Sequence, residues 1–435
     1  MRYPSCNKFP ALLRRNGRRG GSAILLLLLL VQCATAKKLL LHDFMRGPTP
    51  IPQWIADNKA FLEATPFDGL AVYMRKPDLS MNMSDLVMRN SATPLTDIAS
   101  VLAPIAGQNF THLTNNMGLV FAHKPTDFFN DWSIPIQNFA NLAKALKDAG
   151  LKGVMFDNEQ YECWASYPAC VDFAGTHTLA QYQAQATLRG KQIMQAMVAQ
   201  FPDIVVVTFH GPETSEPTSP SVGSTSGNNS LYFGGNELLG PFFVGFREGA
   251  AGTVATVVDG GELYCLRTPT DFQTVYDWNK TALPTVASFI PSPDPGWPGE
   301  ISIGYGLYDA LNCSGSGGLT TPATMQQITT NSLIRADQYV WLYTENTTFL
   351  LPPGSGGAPS AIVAAVANGK AAGLSGSPCD VNKDSSTNAV DVQLEVNQAL
   401  GISACTADIN KDGLCNVIDV QRVTNAALSG ACVSP

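Results

Sequence analysis

The segment Leu151-Lys-Gly-Val-Met-Phe-Asp157-Asn158-Glu159-Gln160-Tyr161 carries an apolar run into two carboxylates one residue apart. On an extended backbone positions i and i+2 face the same side, so Asp157 and Glu159 are expected side by side. Carboxylates that close raise one another's proton affinity, and one can stay protonated near neutral pH and donate to a leaving oxygen. Cleavage of a glycosidic bond needs a second carboxylate, as nucleophile or as base for water. Glu262, in Val258-Asp259-Gly-Gly-Glu262-Leu-Tyr264, is the first choice because the glycine pair lets its side chain reach inward. Asp309 and Glu345 are the substitutes. In this scheme Glu159 protonates the glycosidic oxygen, Asp157 tunes it, and Glu262 attacks or activates water.

Eight short apolar runs must position these groups: 38–42, 69–73, 118–122, 153–156, 204–209, 253–258, 302–307 and 340–343. Helical patterns fall between and after them, most clearly at 51–64, 135–149, 179–201, 272–281, 322–338 and 359–372. Repeated strand–helix alternation predicts a parallel sheet, and a (β/α)8 TIM barrel over residues 37–373 is the economical closure. A doubly wound open sheet is the alternative, but no GxGxxG follows the first strand. In a barrel the site lies at the C-terminal strand ends. The polar residues there are His42-Asp43, Tyr73, Arg75, His123, Asp157-Asn158-Glu159, His210, Asp259, Glu262, Asp309 and Glu345-Asn346. Tyr73, Arg75, Asn158, Tyr161, His210, Trp341 and Glu345 are the substrate-binding candidates, because sugar rings stack on aromatic faces and hydrogen-bond to polar rims. Trp164, Tyr264 and Tyr308 are further aromatics at that rim. The Ser/Thr/Gly/Pro-rich stretch 212–236 reads as a mobile lid or a disordered excursion. No GxSxG elbow and no HExxH motif occurs.

Asn158-Glu159 resembles the Asn-Glu acid/base pair of the large retaining clan of barrel glycoside hydrolases. Asp157-x-Glu159 resembles the last carboxylates of the chitinase-like DxxDxDxE motif. Met155 stands where the chitinase-like pattern has a further Asp, and Asp309 where the large clan has a Glu. The resemblance implies a barrel glycoside hydrolase acting on polysaccharide, without an exact family.

The last sixty residues hold two copies of an oxygen-rich twelve-residue pattern. One has Asp380, Asn382, Asp384, Asn388 and Asp391, the other Asp408, Asn410, Asp412, Asn416 and Asp419, at positions 1, 3, 5, 9 and 12. That spacing wraps one hard cation, with the position-7 carbonyl completing the shell. A helical pattern follows each loop, 392–400 and 420–428, and none precedes it. These half EF-hands, 28 residues apart, resemble the type I dockerin. The resemblance implies a small all-α module over 374–435 that folds around two calcium ions and binds a cohesin domain of a scaffold or cell-surface protein. In that family partner choice is read partly at positions 10 and 11, here Ala389-Val390 and Val417-Ile418; packing between the two helices is the other use for such apolar pairs. Ser385 stands at position 6 of the first loop where the second has Gly413, so the second site is expected to be better formed.

Arg14, Arg15, Arg18 and Arg19 precede the apolar run 23–31, and Ala34-Thr-Ala36 offers a small-residue cleavage site, so residues 1–36 read as a secretory signal too short to span a bilayer. These residues carry six basic groups and no acid, and removing them takes the formal charge from −8 to −14. An acidic mature chain argues against a nucleic-acid partner. Eight of ten cysteines follow residue 36, and secretion permits disulfides. Cys163 and Cys170 can staple one loop, Cys379, Cys405, Cys415 and Cys432 bracket the C-terminal module, and Cys265 and Cys313 pair if the fold brings them together. The alternative to a secreted hydrolase is a non-catalytic glycan-binding or scaffold protein with the same anchor.

Overall fold

A computed structural model describes residues 37–223, 230–312, 317–374, 376–382, 387–428 and 432. Residues 1–36, read above as a secretory signal, and Asp384, Ser385 and Cys313 lie outside the described residues. Nine parallel strands form one sheet: β1 (Lys38–Asp43), β2 (Gly69–Tyr73), β3 (Met117–Phe121), β4 (Gly153–Asp157), β5 (Val205–Thr208), β6 (Thr256–Asp259), β7 (Ser302–Ile303), β8 (Tyr305–Tyr308) and β9 (Tyr339–Thr344). Their order is β7-β6-β5-β4-β3-β2-β1-β9-β8. The two edges, β7 and β8, are consecutive in the chain and separated by Gly304 alone. They are therefore two halves of one interrupted strand, which pairs with β6 on one side and β9 on the other and closes the ring. Eight strand positions result, as the sequence predicts.

Strand periodicity divides the core into two layers. Leu40, Ala71, Met117, Leu119, Met155, Val205, Val207 and Trp341 fill the barrel, while Leu39, Leu41, Leu70, Val72, Val154, Phe156 and Val206 pack outward against helices. Both strand faces are apolar because both are covered. On β4 the inward positions are Gly153, Met155 and Asp157, so the barrel's own pleat aims that carboxyl at the axis. Met155 lies on the same face below it, where the chitinase-like pattern has an Asp.

Helices Ser133–Asp148, Leu179–Gln200, Pro269–Asp277, Pro322–Arg335 and Ser360–Leu374 match the helical patterns read from sequence. Thr178 starts the longest with a capping box to Gln181. Helix Leu239–Ala250 was not legible, because eleven of its twelve residues are buried and it has no polar face to give it a period. The segment 212–236 is not an open excursion among its described residues. Glu213, Thr214 and Leu231 are buried, and main-chain bonds join Leu231 to Pro220 and Phe233 to Thr214. No described helix is long and apolar enough to cross a membrane.

In the C-terminal segment, helices Ala389–Ala399 and Val417–Ala427 pack on each other over Cys379, Ile409 and Val423. Each begins three residues earlier than its apolar period, because Asn388 and Asn416 serve as N-caps in capping boxes with Asp391 and Asp419. Disulfides join Cys163–Cys170, Cys379–Cys432 and Cys405–Cys415. Cys265 is also disulfide-bonded.

A Cβ on Gly304 would lie 2.7 Å from the Tyr339 carbonyl and 3.0 Å from Val258 Cγ1. Gly304→Ala is expected to lower unfolding free energy by about 1–3 kcal/mol in urea denaturation, since the crowding falls on backbone at the closing seam.

Candidate active site and cation loops

The barrel brings Asp157, Glu159, Tyr161, His210 and Glu262 together above β4 to β6. Asp157 is 2% exposed; its Oδ2 accepts the Tyr161 hydroxyl at 3.0 Å and its Oδ1 the Glu159 amide at 3.3 Å. His210 Nε2 lies 3.7 Å from Glu159 Oε1 and 3.7 Å from Glu262 Oε2, ion-pair contacts longer than an ordinary hydrogen bond. Glu159, Tyr161, His210 and Glu262 open on a cleft of about 520 Å³, lined also by Gln160, Phe233, Leu263, Tyr264 and Leu266.

Electrostatics separates the three carboxyls. The facing His210 imidazole holds Glu159 below the usual carboxylate range against the opposing effect of its burial. Burial, then the charges of Glu159 and Asp157, push Glu262 well above it. Asp157 is raised to about 8, by burial first and Glu159 second. These directions favour the proton on Glu262 and Asp157 and the charge on Glu159. The sequence scheme, with Glu159 as donor, assigned the proton the other way, because spacing along one strand carries no information about burial or about His210.

Several candidates support the site from below instead of facing it. Asn158 points away from its two neighbours: its side chain accepts the His210 amide and donates to the His210 carbonyl, both at 2.8 Å, so it clamps that backbone and is spent on it. Trp341 is fully buried, stacked on Phe209 at 4.3 Å, with its indole N–H on the Gly260 carbonyl at 2.8 Å; it is floor, not an open sugar platform. Asp309 is buried and accepts the amides of Glu345, Asn346 and Thr347, so it shapes the turn after β9 and is not a spare catalytic carboxylate. Glu345 accepts the Tyr308 hydroxyl. Tyr73 and Arg75 stack on each other at 5.0 Å at the opposite rim.

Phe44 and Phe121 were missed in the sequence; they form ring contacts with Tyr73 and Tyr343 around the mouth, while Tyr264 and Tyr308, read there as rim aromatics, stack at 4.4 Å beside Glu262. Behind the site, Asn279 donates to Asp259 Oδ2 at 2.7 Å and to Glu213 Oε2 at 3.3 Å, with all three buried. Burial raises both carboxyls of this pair. The Asp259 carboxylate lies 2.3 Å from where a Cβ on Gly211 would sit, which ties the backbone beside His210 to the β6 turn that carries Glu262. Nothing in the polar composition of 212–236 announces Glu213 as a buried group.

Glu159, His210 and Glu262 each present a ligand atom within 4.8 Å of the others, the one such His/Cys/Asp/Glu cluster among the described residues. A divalent cation would find two oxygens and a nitrogen there. The second C-terminal loop is fully described and offers hard-cation chemistry. Asp412 Oδ2 accepts from Asn410 and Asn416, Asp408 Oδ2 accepts the Gly413 amide at 2.7 Å, and Gly413 takes φ +90°. Asp419 Oδ1 accepts the amides of Ile409 and Asn410, and its Oδ2 that of Asn416. The donor set fits calcium. Of the first loop, Lys383–Ser386 lie outside the described residues. Ala389, Val390, Val417 and Ile418 are exposed, which removes packing between the helices as their use.

No protein-family model matches the chain, and no curated protein does. Among solved structures, a family GH18 chitinase from Chromobacterium violaceum aligns with 78% of this chain and 83% of its own at 12% identity and a TM-score of 0.42. Active domain 2 of a thermostable chitinase from Pyrococcus furiosus aligns with 78% and 96%, at 12% identity and 0.40. A 3-keto-D-glucoside 4-epimerase from E. coli aligns with 77% and 99%, at 11% and 0.37. The likeness is coarse, and no residue role is carried across from it.

Asp157 holds its proton more tightly folded than unfolded. Its contribution to stability is full below the ordinary carboxylate range and is lost as pH rises through about 8. Asp157→Asn should therefore melt close to the native protein at acid pH and gain on it progressively up to about pH 8, measured by thermal unfolding across that range.

Proposed function

We propose that this chain is a secreted glycoside hydrolase in which Glu262 is the general acid and Glu159 the ionised partner, anchored by a calcium-dependent docking module. The observation that carries the reading is the pair itself: two carboxyls with oxygens within 4.8 Å, flanking one imidazole at the C-terminal mouth of a barrel, with proton affinities shifted in opposite directions. Oxygens within 4.8 Å suit the roughly 5–5.5 Å carboxyl separation of retaining enzymes, and leave no room for the water that inverting enzymes place between carboxyls about 6.5–9.5 Å apart.

In the retaining scheme Glu262 gives its proton to the glycosidic oxygen as that bond breaks, and Glu159 attacks the anomeric carbon to form a glycosyl ester. Glu262, now ionised, takes a proton from water, whose oxygen displaces Glu159. His210 stabilises the charge on Glu159 between turnovers, and protonated Asp157 adds no second negative charge beneath it. Polysaccharide is the proposed substrate class, with the aromatic rim offering stacking surfaces.

The role assignment has a sharp test in kcat/KM. Glu262→Gln should lose about 10²- to 10⁴-fold on substrates with sugar leaving groups but far less on activated aryl glycosides, which leave without a proton. Glu159→Gln should lose both. Equal losses in the two variants on both substrates would overturn the assignment, and activity that returns only with a divalent cation after chelation would move the cluster to metal chemistry.

For the C-terminal module, the two loop–helix repeats and their exposed apolar pairs support docking to a cohesin domain, with residues 1–36 directing the chain outside the cell. The disulfides are at home there. Calcium titration of the full chain is expected to reach two ions. Asp408→Ala combined with Asp412→Ala should reduce this to one; an unchanged stoichiometry would count against the second loop as a site.

A further inference from the structure

Tyr73 ends β2 and Arg75 follows two residues on, so an extended backbone sets both side chains on one side. The turn holds that geometry. Arg75 bridges Asn82 in an antiparallel pair, the Lys76 amide donates to the Met81 carbonyl at 2.9 Å, and the Met83 amide donates to the Met74 carbonyl at 2.7 Å. The Arg75 guanidinium lies over the Tyr73 ring, 5.0 Å from its centroid. Stacking of that kind orients the guanidinium plane and shields one of its faces.

What this guanidinium lacks is an acid. Its Nε is buried without a hydrogen-bond partner, and among the described residues no carboxylate is paired with it. The other charged groups of that rim are taken. Arg89 pairs with Glu162 at 2.8 Å, Lys124 with Asp172 at 3.1 Å, and Asp85 is held by Asn82 and by His123 at 3.2 Å. An arriving anion therefore meets a cation that is already oriented, partly desolvated and unclaimed, on a chain whose formal charge of −8 would otherwise repel it.

Ring contacts lead from this cation to the reacting groups. Tyr73 meets Phe121 at 5.7 Å and Phe121 meets Tyr161 at 5.9 Å, while Tyr161 lines the cleft and donates to Asp157. A sugar chain that leaves the cleft along these rings passes Arg75.

We propose that Arg75 binds an anionic substituent of the glycan, a uronic-acid carboxylate or a sulfate ester, so that the substrate of the cleft is an acidic polysaccharide. The inference rests on the reading of the cleft as a glycan site. A guanidinium fork meets the paired oxygens of such a group with two parallel N–H bonds, where lysine would offer a point charge alone.

The test is calorimetric binding of matched glycans to the full chain carrying Glu262→Gln, which slows cleavage: polygalacturonate against its methyl ester, and dextran sulfate against dextran. At least one acidic member should bind about tenfold or more tighter than its neutral partner, and the pair that shows this tells carboxylate from sulfate. Adding Arg75→Gln should bring the ratio close to one, and adding Arg75→Lys should keep only part of it. No preference for the acidic member in either pair, or a ratio that survives Arg75→Gln, would overturn the proposal. Thermal unfolding guards against a folding defect; should Arg75→Gln fail to fold, an undiminished ratio in Arg75→Lys overturns it instead. Arg75-dependent binding of an acidic glycan that the native chain does not cleave would sink the hydrolase reading and leave this inference standing, whereas cleavage of neutral glycans alone would do the reverse.

Discussion

Three carboxyls, Asp157, Glu159 and Glu262, crowd together at the base of the cleft, and the chemistry of the site depends on how that crowding is resolved. Charged forms are costly there, and like charges in contact compound the cost. One imidazole, His210, faces Glu159 and Glu262 and favours the ionised form of Glu159. The shifts favour charge on Glu159 and protons on its two neighbours. In the proposed scheme an acid and a nucleophile arise together from that one constraint.

The barrel enforces the crowding. Its pleat aims Asp157 inward, the turn after β6 delivers Glu262, and Asn158 fixes the backbone of His210 from both sides. The buried Asp259–Asn279–Glu213 set ties the β5 and β6 turns together from behind. Closure through Gly304 keeps all of these strand ends on one ring.

Much of this was legible in the sequence. Alternating apolar runs marked the eight strand positions, and the i, i+2 spacing put Asp157 and Glu159 on one face. The glycine pair before Glu262 suggested the inward reach that the structure shows. What was not legible depends on contacts between distant segments. Trp341 reads as a rim aromatic until its burial against Phe209 is seen, and Asn158 reads as a ligand until it is found on the His210 backbone. Helix Leu239–Ala250 hid because a fully buried helix has no period. The direction of proton sharing hid for a deeper reason, since it follows from solvent exclusion and a histidine some fifty residues away.

The most direct test of this account is carboxyl-carbon NMR of protein labelled at glutamate, titrated through neutral pH, with Glu159→Gln and Glu262→Gln used to assign the two resonances. The account predicts an ionised signal for Glu159 and a protonated one for Glu262 in the same sample at neutral pH. A proton on Glu159, or both groups ionised together, would contradict it.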